Sequence, residues 1–127
     1  MKKSQIKNIL RDIFYILVLM AACITLDAQS DVLNINALAL KNSEDSKHYD
    51  NIKLLCENEW KGDHNMMIYT INKQADAVFE IIGYMKSPKF DEMIFATAFH
   101  EWTKKDLTDW TMVVYVYKNQ LKAKGDY

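Results

Sequence analysis

The chain predicts an all-α fold: two helical hairpins in tandem, packed as a four-helix bundle, with a short extra segment before them. Three observations carry this. The stretch Asp63-His64-Asn65-Met66-Met67-Ile68-Tyr69-Thr70-Ile71-Asn72-Lys73-Gln74 returns 46 residues later, from Asp109 to Gln120, with Asp, Met, Tyr and Gln at the same offsets. Each copy follows a Glu-Trp pair, Glu59-Trp60 and Glu101-Trp102, so the duplicated unit extends beyond the stretch itself. All three glycines fall at predicted helix ends, and the single proline falls at a predicted helix start.

The first segment is read apart from the domain. Lys2, Lys3, Lys7 and Arg11 make a basic start, and an apolar run from Ile13 to Leu26 follows, closed by Ala28. Basic, then apolar, then small is the layout of a secretory signal peptide, and the run falls short of the roughly 20 residues a spanning helix needs. Residues 1–28 are expected to leave after Ala28, with Asp12 an unusual acidic residue at the edge of the apolar run. A second expectation is a lipobox-like Met20-Ala21-Ala22-Cys23, which would place a lipid anchor on Cys23. Either way the protein is exported, periplasmic or extracellular, and residues 29–127 form one helical domain.

Within that domain, Ser30-Asp31 can cap a short helix toward Leu40, although alternation over Leu33–Ala39 also suits a strand. Residues 41–47 are polar and read as a loop. The first hairpin covers about 48–84. Tyr49, Ile52, Leu55 and Cys56 form an apolar stripe on its first helix, which Gly62 ends and after which Asp63 caps the next. Met67, Ile71, Ala75, Val78 and Ile82 line the second helix, toward Gly83.

The second hairpin covers about 88–124. Ser87 is the expected cap of its first helix, with Pro88 in the first helical position. That helix carries Phe90, Met93, Ile94, Phe95, Phe99 and Trp102, and so many apolar sides predict a deep position. Asp109 caps the last helix as Asp63 caps the second. On propensity alone, Thr111–Tyr117 is a strand, which would make the fold α+β. Its repeat partner runs on into good helix formers, and Lys118, Lys122 and Lys124 oppose a helix dipole at the far end. Helix is therefore predicted. The duplication further predicts a pseudo-twofold relation that matches Tyr69 with Tyr115 and Trp60 with Trp102.

Composition narrows function by exclusion. The net charge is −1 over 127 residues, and removal of residues 1–28 leaves 12 basic and 15 acidic side chains, a net of −3. Without clustered Lys and Arg, nucleic acid is not an expected partner. Cys56 would be the only cysteine after residue 28, so no internal disulfide staples the fold, and Leu54-Leu55-Cys56 reads as buried packing. No Gly-rich phosphate loop, serine-hydrolase elbow or zinc-protease helix occurs.

The remaining candidates are few. His64 with Met66 and Met67 has the donor types that suit copper, but adjacent helical positions point apart. His100 with a methionine of the second helix could hold haem in a bundle, although the covalent attachment motif is missing. No cofactor is expected. Asp63 and Asp109 read as caps rather than a catalytic pair, Tyr69 and Tyr115 as core residues, and Gln74 and Gln120 as bonds across the repeat or solvent-facing groups. Trp60, Trp102, Trp110 and Tyr117 are candidate contacts for a partner. The expected function is a non-catalytic interaction module facing an envelope protein. A metal or haem carrier and an enzyme of unrecognised class are the alternatives.

Overall fold

The computed structural model describes residues 3–20 and 33–125, with side chains placed for 5–13 and 33–125. It contains α1 (Lys3–Met20), α2 (Ile35–Lys41), α3 (Lys47–Glu59), α4 (His64–Met85), α5 (Glu92–Glu101), β1 (Thr103–Lys104), β2 (Leu107–Thr108) and α6 (Trp110–Lys124). The fold is all-α. None of these helices is long and apolar enough to cross a membrane. Ala28 and Cys23, the alternative processing points, lie outside the described residues.

α3 packs on α4, α4 on α6 and α6 on α5, while β2 turns back onto α3. α2 lies across α3 and α4, and α1 meets α2. The bundle core is built from Ile52, Ile71, Val78, Ile81, Phe95, Val113 and Tyr117, all nearly inaccessible, and Leu40 of α2 joins it. Burial of each such side chain stabilises the fold by about 1.5–3 kcal/mol relative to leaving it in water. An unbroken run of ring contacts, Tyr84–Tyr117–Phe90–Phe95–Phe99–Trp110, spans 5.3–5.8 Å at each step. It ties the end of α4 to both helices of the second hairpin.

Thr111–Tyr117 is helical, inside α6. Trp110, Val113, Val114, Tyr117 and Leu121 are the buried residues of α6, and their spacing makes a single helical stripe. Packing along that stripe overrides the strand preference of the individual residues. Asp109 accepts a hydrogen bond from the Met112 amide at 3.3 Å, and Gly125 closes the helix at φ 85°, a conformation that costs glycine little.

Several boundaries differ from expectation. Ser30-Asp31 lies outside the described residues, and the α2 cap is Asn34, whose side chain accepts from the Ala37 amide at 2.9 Å. Ile35, the first residue of α2, is 58% exposed. Gly83 does not end α4, which runs two residues further and stops before Lys86.

Ser87 caps only a turn, accepting from the Lys89 amide at 3.2 Å, and Asp91 caps α5 instead. The reason is electrostatic. The Asp91 carboxylate takes two amides, Met93 and Ile94, at 3.0 Å each, and also meets Lys124 at 2.8 Å. Charged acceptors make stronger bonds than a hydroxyl. α5 is also less deep than expected: it buries Phe95, Ala96 and Ala98, but Met93 is 74% exposed.

The link between α5 and α6 is a minimal β-hairpin that went unpredicted. Thr103 pairs with Thr108 and Lys104 with Leu107, and Lys105 and Asp106 sit at φ 52° and 65°. Two successive positive φ values are the mark of the tight turn that matches strand twist.

The predicted pseudo-twofold relation does not hold. Gln74 of α4 meets Asp109 and Trp110 of α6, residues 35 and 36 further along, whereas the repeat spacing is 46. Further down, Tyr84 meets Tyr117 and Glu80 meets Lys118, so the two helices run parallel. The mismatch of about ten residues displaces one copy along the other by roughly 15 Å at 1.5 Å per residue. α4 and α6 therefore pack staggered, and no twofold axis relates the two copies in register.

Candidate functional site

The two copies of the repeat share their caps and an exposed tyrosine, and part at the glutamine. Asp63 accepts from the Met66 amide at 3.1 Å and starts α4, as Asp109 starts α6. Both carboxylates are engaged as caps. The stagger then gives the two glutamines different fates. Gln74 is 7% exposed, donates from Nε2 to Asp109 Oδ1 at 2.8 Å and accepts the Trp110 amide on Oε1 at 2.6 Å. It therefore joins the two hairpins at the start of α6. Gln120 lies near the free end of α6, exposed. Asn72 is used similarly: its Oδ1 accepts the Asn34 amide at 2.9 Å, and the Asn34 and Asn36 side chains both reach Asp76. The first copy thus holds α2 on one side and α6 on the other.

Two of the candidate partner contacts are buried. Tyr117 is fully buried and its hydroxyl accepts the Asp91 amide at 3.1 Å; Trp110 is 4% exposed and stacks against Phe99. Both sit on the buried stripe of α6, where a helix, unlike a strand, directs them inward. Trp60 and Trp102 are half-buried, and their indole Nε1 atoms have no hydrogen-bond partner among the described residues.

Among the described residues, the aromatic side chains that face solvent are Tyr69 and Tyr115, 55% and 60% exposed, which corrects their expected place in the core. They occupy equivalent positions of the two copies. Lys73 covers the Tyr69 ring at 5.4 Å and also lines a groove of about 510 Å³ between α4 and α6 that Tyr115 borders.

The histidines and methionines weighed as ligands do not converge. His64 is exposed at the start of α4, beside the half-buried Met66 and Met67, and His100 is exposed near the end of α5. Among the described residues, no three His, Cys, Asp or Glu side chains group closely enough to hold a metal ion. Cys56 is buried, and burial pushes its thiol pKa up against an opposing hydrogen bond with Thr70. A raised thiol is a poor nucleophile.

One cavity was not foreseen. About 370 Å³ lies between α1, α3, α5 and the β-hairpin, and it brings together His48 and His100, which sequence spacing leaves unrelated. His48 Nε2 is buried, has no hydrogen bond within 3.5 Å among the described residues, and stands 3.6 Å from its nearest acid, Asp12 Oδ2 of α1. Burial lowers the His48 pKa from its ordinary value, more than the Asp12 and Asp45 carboxylates raise it. Ile6 and Ile13 of α1 are buried, and Ile13 belongs to the main core. Asp12 is the residue that marked this segment as unusual in sequence.

Compared with known protein families, curated proteins and solved structures, the chain matches none.

Proposed function

We propose that this chain is an exported, non-catalytic helical interaction module that works in the cell envelope against a protein partner. The leader-like residues 1–28 support the location. One observation carries the role: the duplication presents Tyr69 and Tyr115 to solvent at equivalent positions, in a domain that buries Tyr49 and Tyr117. Exposed aromatic rings on rigid helices are suited to anchoring a partner at low entropic cost. The other repeated polar residues serve structure, with Asp63 and Asp109 as caps and Gln74 as a buried tie.

The test is a Tyr69→Ala/Tyr115→Ala double variant, cross-linked in the envelope of producing cells beside the wild type. Both rings are exposed, so each truncation is expected to change stability by within about 0.5 kcal/mol. Loss of the wild-type cross-linked partner at unchanged melting temperature is the expected result. An unchanged cross-link pattern, or turnover of a substrate by the purified chain, contradicts the proposal.

A small metal or haem carrier is the second reading, favoured only by His48 and His100 lining one cavity. An absorption spectrum and metal analysis of natively purified protein separate it from the first.

A further inference from the structure

α1 has two characters. In sequence it opens the leader-like segment, with Lys3, Lys7 and Arg11 ahead of the apolar run. In the structure it is packed onto the domain. Ile6 and Ile13 are buried and Ile9 packs against the core, at i, i+3 and i+7, so one face of the helix lies inside. Lys7 and Arg11 stay exposed. α1 continues to Met20 and so takes in Ile13–Met20 of the apolar run. It meets α2, and it closes the cavity of about 370 Å³ whose other walls are α3, α5 and the hairpin. One contact is specific: Asp12 Oδ2 stands 3.6 Å from His48 Nε2 of α3, with the two side chains 25% and 16% exposed.

We propose that α1 is a self-retention latch: the folded domain captures its own leader through Ile6, Ile9, Ile13 and the Asp12–His48 contact, and export draws on the undocked fraction alone. This role rests on the export reading, because it assigns a state to the chain before residues 1–28 are removed. A leader is recognised through its basic start and its apolar run. A run whose first residue, Ile13, lies in the core of the same chain is not free to be bound. Docked and undocked chains are two populations, and the rate of export scales with the second. Chains not yet folded have no α3 to hold α1 and leave freely, whereas folding closes the route. Asp12 then has a purpose. It is the leader's own handle on the domain, placed where an ordinary leader carries no acid.

The experiment is a pulse-chase of the full chain in its producing cells, with mass reporting the first residue. His48→Asp sets a carboxylate against Asp12. It also lies in the first turn of α3, where an acid suits the helix dipole, so the domain is expected to keep its fold. Removal of the leader should run about fivefold faster than in the wild type, the factor for one like-charge contact at roughly 4 Å in water. His48→Asp with Asp12→Lys restores an opposite pair and should return the rate toward that of the wild type. This reversal separates the latch from a damaged domain and from a merely improved leader, both of which add to the first effect.

Processing at one rate in all three chains, or a double variant as fast as His48→Asp alone, overturns the latch and leaves export standing. Failure of the wild type and both variants to lose residues 1–28 overturns the export reading, and the latch with it.

Discussion

Gln74→Ala is the perturbation on which the structural account is most exposed. It removes a donor to the Asp109 carboxylate and the acceptor of the buried Trp110 amide. A hydrogen bond to a charged group contributes about 1.5–3 kcal/mol, and an amide left unsatisfied in the interior costs about 1–3 kcal/mol. The combined loss, with some relaxation of neighbouring side chains, is about 3 kcal/mol. For a domain near 100 residues, that lowers the melting temperature by about 12–24 °C. Gln120→Ala, at the matching position of the second copy, is exposed and should stay within about 0.5 kcal/mol. Urea denaturation followed by tryptophan fluorescence and far-ultraviolet circular dichroism measures both. Equal effects at the two positions would refute the stagger, because true twofold symmetry would place the glutamines in equivalent surroundings. A Gln74→Ala cost below about 1 kcal/mol would refute the buried tie itself.

Three further outcomes follow from named contacts. Asp63→Ala should cost about 1 kcal/mol as the loss of a cap. Asp109→Ala should cost more in the same denaturation assay, because that carboxylate also holds Gln74 and Thr111. In the full chain, with α1 in place, the buried His48 resists the proton that the unfolded chain accepts near the ordinary value of 6.5. The unfolded state therefore binds more protons just below that pH, so stability is full above it and falls as pH drops through it. A His48→Gln variant should flatten this slope in melting curves taken from pH 7.5 to 5. Finally, Lys105→Asn with Asp106→Gly places residues suited to positive φ in the hairpin turn, and should stabilise the chain by about 1 kcal/mol. A lower melting temperature would contradict the turn geometry.

Much of this fold was legible because its signals are local and mutually consistent. Asp63, Asp109, Gly62 and Gly125 mark helix ends through their own backbone preferences, and Trp110, Val113, Val114, Tyr117 and Leu121 carry a helical period that outweighs their strand propensity. Ser87 and Asp91 are both capping residues four positions apart. Sequence could not choose between them, because the choice was made by Tyr117 and Lys124, far along the chain. The hairpin was hidden because Lys105-Asp106 lacks the glycine or asparagine that announces such a turn.

The difference between Gln74 and Gln120 depends on the stagger of α4 against α6, and a repeat fixes its internal pattern but not the offset at which copies pack. The cavity beneath α1 was invisible for another reason. Residues 1–28 read in sequence as a segment apart from the domain, so nothing there pairs Asp12 with His48 or brings His100 to the same cavity.

Native mass spectrometry of the protein taken from the envelope of its own cells tests the central claim most directly, since it reports processing and bound partners together. The account predicts a chain that begins at Gln29 and travels with a second, different polypeptide. A chain that retains residues 1–28, or one carrying haem or copper and no polypeptide, would contradict it.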